Sequence, residues 1–350
     1  VVNLDRIAKI AEAVLYEGYM LYPYRPSSVK NQQRWNFGVL YPPHYCERQV
    51  GLDRCSMQTE CLLKTSSSAR ITAKVRFLQI VQRSIGRLRV PVAALPEGDP
   101  AMDLVDHLEV AGRVYRPWQE TIEREIVYED LDPRSIHHSP PFSIPEGKTS
   151  ELLPDEQGVA IGAVVRKWNS LKGSVDIESE GRRDGIVKLR LQVNNLTRAQ
   201  VPFEAEDREA VLFDSLVSAH AILGAEDGEF ISLLEPPAGL EDLVAQCNNV
   251  GVWPVLAGDD ASGVLSSPII LYDYPQIAPE SAGNLFDSTE IDEILSLRIL
   301  TLTDAEKLEM RQSDDRARGI LERTENMPEE QFLKLHGVLR GLTAVREELP

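Results

Sequence analysis

The chain has 350 residues, 43% of them hydrophobic and 26% charged, enough apolar material to bury one large core or two modest ones without a disulfide or structural metal. No window approaches the roughly 20 apolar residues of a membrane-spanning helix, and the formal charge of −18 works against nonspecific nucleic-acid binding, which rewards clustered Lys and Arg. The charge is unevenly placed: residues 1–100 carry fourteen Lys/Arg against eight Asp/Glu, a balance of +6, whereas residues 201–280 carry Arg208 alone against fifteen acids, a balance of −14. Such an asymmetry either pairs within one fold or presents different faces to different partners.

In chain order, Leu4, Ile7, Ile10, Ala11, Val14 and Leu15 form the stripe of an amphipathic helix over residues 4–16. This N-terminal stretch lacks the continuous apolar run of a signal peptide, so the chain is expected to be soluble and cytoplasmic. Gly18, Pro23 and Pro26 stop the helix. The stretch YEGYMLYPYRPSSVKNQQRWNFG then sets Tyr16, Tyr19, Tyr22, Tyr24 and Trp35 beside Arg25, Lys30 and Arg34. Such rings can close the edge of a core while their hydroxyls reach polar partners. Tyr, Trp and Arg are also the residues of protein-recognition surfaces. Nucleotide stacking is a third reading, which the net charge opposes.

A strand is expected over 36–41. Cys46, Cys55, Cys61 and Cys247 follow the spacing C-x8-C-x5-C and then a long gap, which is neither a zinc-ribbon nor a ferredoxin pattern. They read first as free thiols; the alternative is a metal or redox site on Cys46, Cys55 and Cys61 with His44. Period-two alternation predicts strands over 70–80, 104–114, 158–168, 173–178 and 185–193, the last with Val187, Leu189, Leu191 and Val193 on one face. The Pro- and Ser-rich residues 129–158 read as a long loop or subdomain boundary, with His137 and His138 exposed in it.

Residues 206–223 carry a helical apolar pattern with His220 on or beside the buried face. A strand over 229–234, a helix over 241–246 and a strand over 269–272 follow. The last leads into a Pro-rich surface segment containing Tyr272, Asp273 and Tyr274. The C-terminal region is helical, with an N-cap at Ser288 or Thr289, a capping box Thr303-x-x-Glu306, Pro328 at a helix start and Gly341 at a helix end. The helix over 304–325 is thinly apolar, the composition of an arm or docking element. Asp287, Glu290 and Glu293 suit a helix N-terminus; with Asp273 and Glu280 they are alternatively oxygen ligands for a hard cation.

The pattern predicts an α+β chain with a mainly antiparallel, sandwich-like β core, an N-terminal helix and a helical C-terminal arm. Its expected divisions are residues 1–135, 136–285 and 286–350. Phosphate-binding loops, dinucleotide fingerprints, nucleophile elbows and zinc-protease helices are absent from the sequence.

The segments AVLYEGYMLYPYRPSSVKNQQRWNFGVLYP, CSMQTECLL, SSPIILYDYPQIAPES and LFDSTEIDEILSLRILTLTDAEKLEMRQSDDRARGILERTE resemble an uncharacterised bacterial family encoded in gene clusters for uptake nickel-iron hydrogenases. The resemblance implies a cytoplasmic role in hydrogenase assembly or maturation and carries no catalytic residue with it. The expectation is a non-catalytic accessory protein without a cofactor. It would bind a hydrogenase subunit or maturation protein through Tyr22, Tyr24, Arg25, Lys30, Arg34, Trp35, Tyr272, Asp273, Tyr274 and the C-terminal helices, with no membrane or nucleic-acid partner. One alternative is a metal-handling or redox protein holding a transition metal or iron-sulfur cluster on the cysteines. Another is an enzyme built on His220, Asp273 and Glu280.

Overall fold

The computed structural model describes residues 4–25, 28, 31, 34–48, 51, 53–93, 100–198, 208–276, 285, 292–313 and 315–328. The expectations for Lys30, Glu280, Asp287, Glu290, the Glu293 side chain, a cap at Ser288 or Thr289 and a helix reaching Gly341 lie outside what is described. Contacts divide the chain into two units, one of residues 1–19 and 33–276, the other of residues 20–32 and 277–350.

In chain order the first unit contains α1 (Asp5–Leu15), α2 (Pro43–Arg48), β1 (Ser56–Val92), β2 (Met102–Val105), β3 (Leu108–Val110), β4 (Arg113–Tyr115), β5 (Trp118–Leu131), β6 (His137–His138) and β7 (Pro141–Ile144). It continues with β8 (Gly147–Pro154), β9 (Ala160–Trp168), β10 (Leu171–Gly181), β11 (Ile186–Asn195), α3 (Arg208–Leu212), β12 (Val217–Ile231), α4 (Glu241–Val244), β13 (Trp253–Leu256) and β14 (Gly263–Ser267).

All of its strands except the β3–β4 hairpin join one antiparallel sheet of twelve strands. The spine is β1, 37 residues long. Its first part pairs β11 from Ser56↔Asn194 to Lys64↔Ile186, its middle lies between β12 and β5, and its end pairs β9 and β2. Register shifts at Thr65/Arg70 and Arg76/Leu78 let so long a strand bend.

One face of the sheet rolls around a single interior. Met57, Leu63, Val75 and Phe77 of β1 meet Leu189 and Val193 of β11, Val175 of β10 and Leu223 of β12 there. The curl brings together strands that share no ladder: the Phe77 and Phe142 rings lie 5.9 Å apart, and Tyr128 of β5 meets His138 of β6 edge-on at 5.0 Å. Face opposes face as in a sandwich, within one continuous sheet. On the outer face, α1 seats Ile7, Ile10 and Ala11 against Ile222, Val255 and Leu265, the stripe its sequence predicts.

Several elements differ from the sequence reading. Residues 206–223 are not one helix: α3 is short and β12 begins at Val217. Residues 217–225 are buried without a break, between the rolled core and α1, so both faces are apolar and the run carries no period that separates strand from helix. Residues 129–158 are not a loop but hold the end of β5 with β6, β7 and β8; Pro141 opens the short β7 and Pro154 closes the edge strand β8, where a missing amide costs little, while Pro133, Pro140 and Pro145 fall between strands.

Residues 36–41 form only isolated bridges, Leu40↔Leu216 antiparallel and Leu40↔Arg54 parallel. Gly38 takes φ +56, and a Cβ there would stand 2.7 Å from the Pro268 side chain, so the ladder cannot continue regularly. The strand expected at 269–272 is absent, and β13 and β14 precede it. The 104–114 strand is broken into β2, β3 and β4.

The second unit contains α5 (Asp292–Leu300), α6 (Asp304–Ser313) and α7 (Asp315–Glu325). The predicted 304–325 helix is a pair, α6 and α7, with Met310, Ala317, Ile320 and Leu321 buried and Glu325 accepting ion pairs from Lys307, at 3.3 Å, and from Arg311. The capping box forms as expected: the Thr303 amide donates to Glu306 Oε2 at 2.9 Å and the Glu306 amide to Thr303 Oγ1 at 3.4 Å.

Candidate functional site

The aromatic stretch after α1 is largely interior. Arg34 is buried, with its guanidinium carbon 4.6 Å from the Tyr19 ring, 4.5 Å from Trp35 and 4.2 Å from Trp118. Its Nε donates to the Tyr19 carbonyl at 2.8 Å and Nη1 to the Gln119 carbonyl at 3.1 Å. Trp35 Nε1 reaches Gln119 Oε1 at 3.0 Å, and the Tyr16 hydroxyl donates to Glu123 at 2.6 Å. A desolvated cation among rings is worth about 2 kcal/mol, so Arg34 clips this segment to the start of β5.

In the second unit Tyr24 is fully buried and donates its hydroxyl to the Leu285 carbonyl at 2.7 Å. Tyr22 packs edge-on to Tyr24 beneath Arg298, and Arg25 pairs with Glu306 at 3.1 Å. The recognition surface expected here is thus mostly inward-facing: Tyr24, Arg34 and Trp35 are buried, while Tyr22 and Arg25 are half-buried and engaged within their own unit. The basic composition that suggested recognition serves packing instead.

The cysteines separate into two neighbourhoods. Cys46 of α2 sits beside Cys55; Cys61 is buried and lies near Cys247. Burial pushes the Cys46 thiol up to about 12, with Cys55 and Asp53 adding to the shift, and pushes Cys247 up to about 11; Cys61 is raised further, again by burial. Thiolates are the metal ligands and nucleophiles, so these environments disfavour the reactive form. His44 is half-buried on α2, and among the described residues no three His, Cys, Asp or Glu side chains converge as a ligand set.

His220 lies in β12, not in a helix. It is fully buried, its Nδ1 2.9 Å from the Ser218 carbonyl, with Arg76 opposite in the ladder. Burial, and secondarily Arg76, hold the imidazole down at about 4, so it is neutral. Asp273 is engaged elsewhere: its Oδ1 accepts the Leu256 amide at 2.8 Å and its Oδ2 the Ser232 hydroxyl. The structure does not assemble an acid-base pair from these residues.

Asp273 instead organises a surface. Residues 268–274 follow β14 and are pinned to the end of β13, where the Tyr274 amide donates to the Leu256 carbonyl at 2.7 Å while Asp273 accepts from the Leu256 amide. Side chains alternate: Leu271 packs toward α1 and Pro275 is buried, while Ile270 and Tyr272 are each 70% exposed and Tyr274 is 38% exposed. Ser232, which donates to Asp273, also accepts the Leu234 and Glu235 amides at 3.2 and 2.8 Å, tying in a turn whose Leu234 is 53% exposed. Of the residues expected to bind, Tyr272 and Tyr274 face outward and Asp273 is their anchor; Leu234 and Ile270 join them, unmarked in the sequence because isolated aliphatic residues carry no pattern.

No protein-family model matches this chain, and no curated protein matches its sequence. Among the described residues no helix is long and apolar enough to cross a membrane.

Proposed function

We propose that this chain is a non-catalytic binding protein whose contact surface is the strip Ile270, Tyr272 and Tyr274 with Leu234, and that its partner is a subunit or maturation protein of a nickel-iron hydrogenase system. The partner class rests on the resemblance described above. The surface rests on one observation: two large apolar side chains, Ile270 and Tyr272, are 70% exposed on a segment pinned to β13 through Asp273. Isolated exposed apolar residues are ordinary, but a row of them at alternate positions of one pinned segment, with Leu234 tied in through Ser232 and Asp273, is the pattern of an interaction site. A fixed surface also loses little conformational entropy on binding.

The test is to mix purified hydrogenase subunits and maturation proteins with the immobilised chain and with the double variant Ile270→Ser/Tyr272→Ser. Binding lost in a variant with unchanged circular dichroism supports the proposal. Binding retained at full strength removes the strip from it.

A further inference from the structure

The surroundings of the strip favour one kind of partner. Between Arg208 and Arg298 the sequence contains no Lys or Arg, and this basic-free stretch supplies β12, β13, β14 and the strip itself. The fold gathers its acids at the same end. The Phe230 amide donates to the Ala261 carbonyl at 2.7 Å and the Ala225 amide to the Ser262 carbonyl at 2.8 Å, so the bend of β12 carrying Glu226, Asp227 and Glu229 lies against the β13–β14 turn carrying Asp259 and Asp260. That turn follows β13, whose Leu256 holds the strip.

Part of this charge is answered within the fold. Asp259 pairs with Arg6, and Glu226 and Glu229 stand opposite Arg70 and Lys64 in the β1 ladder. Asp227, Glu235 and Asp260 have no basic partner among the described residues; Asp260 accepts hydrogen bonds from Ser262, whose amide lies 2.9 Å away. Three further bases of β1 are taken up by β5, with Arg76 to Glu123 at 3.3 Å, Lys74 to Glu125 at 3.8 Å and Arg83 to Glu120 at 2.9 Å. The acidic end therefore keeps its negative field around an apolar, tyrosine-bearing centre.

Resting on the binding function proposed above, we infer that the strip takes a basic protein segment, in which Lys or Arg side chains flank apolar ones. The apolar residues would cover Ile270 and Leu234, while a guanidinium or ammonium would lie over Tyr272 and near Asp260 and Glu235. Complementary charge speeds encounter and rejects acidic partners, while apolar contact sets the lifetime of the complex. A cation over a tyrosine face adds an attraction that a neutral segment lacks.

A phage-displayed library of random linear peptides, panned on the intact chain and counter-selected on the Ile270→Ser/Tyr272→Ser variant, tests this directly. Expected are variant-sensitive peptides of positive charge whose affinity falls several-fold on the intact chain between low and physiological salt, and again in Glu235→Gln/Asp260→Asn. Variant-sensitive peptides that are neutral or acidic, or that ignore both salt and the charge variant, overturn the basic-partner inference and leave the strip standing as a surface. Selection of peptides that bind the strip variant equally well overturns the surface, and this inference with it.

Discussion

Replacing His220 with Asn probes the buried face of β12. The imidazole is fully buried and held at about 4, against an ordinary value of about 6.5 in an unfolded chain. Between those values the unfolded chain takes up a proton that the folded chain refuses, so stability is full above pH 6.5 and is lost as pH falls toward 4. The gap corresponds to about 3 kcal/mol in total and about 2 kcal/mol by pH 5. Asn retains a donor for the Ser218 carbonyl, 2.9 Å from Nδ1 in the wild type, but does not titrate. Urea unfolding at pH 7.5 and pH 5 yields the stability change within each protein, so any cavity cost of the smaller side chain cancels. The wild type should lose about 2 kcal/mol more than His220→Asn across this interval. Equal losses in the two proteins would refute the reasoning, because they would mean His220 is charged or solvated in the folded state.

Phe77→Ala removes a fully buried ring from the rolled core and should cost about 3 to 5 kcal/mol in denaturant unfolding. Tyr272→Ala, at a 70% exposed position, should change stability by no more than about 0.5 kcal/mol in the same assay. Thr303→Ala breaks the capping box of α6 and should lower the stability of the second unit by about 1 kcal/mol, read by hydrogen exchange of α6 amides. Iodoacetamide at pH 8 should label Cys46 in the folded chain roughly a hundredfold more slowly than free cysteine: its thiol is pushed up to about 12, which cuts the thiolate fraction by about three powers of ten, and the greater nucleophilicity of a more basic thiolate returns about one of them; mass spectrometry of timed digests measures this.

The fold class was readable because β10 and β11 each have one apolar and one mixed face, and α1 shows its stripe plainly. The failures have physical causes. β12 is covered on both sides, so its apolar run fits a helix as well as a strand. β5 interleaves Glu120, Arg124 and Glu129 with Ile122, Ile126 and Tyr128, and its acids answer the bases of β1, a pairing invisible until the strands are adjacent. For the candidate site, composition identified Tyr272 and Tyr274 but also marked Tyr24, Arg34 and Trp35, which the fold buries. Tyrosine, tryptophan and arginine suit a packed clip as well as a surface; only burial separates the two uses. Leu234 joins the strip through Ser232 and Asp273, a contact between segments 41 positions apart that local sequence cannot announce.

The length of β1 also shapes how this protein is made. Ser56 must wait for Asn194, and Arg70 for Glu226, before their ladders can close. On the ribosome, β1 and β5 emerge together and can pair early, but the first part of β1 stays unpaired until β11 follows, and the edge opposite β5 stays open along the middle of β1 until β12 does. Nonlocal pairing of this kind folds slowly, and an open strand edge invites association with other chains. A nascent chain stalled before β11 would thus display the longest strand of the sheet half-paired, making this protein a strong client for chaperones that shield extended apolar segments during translation.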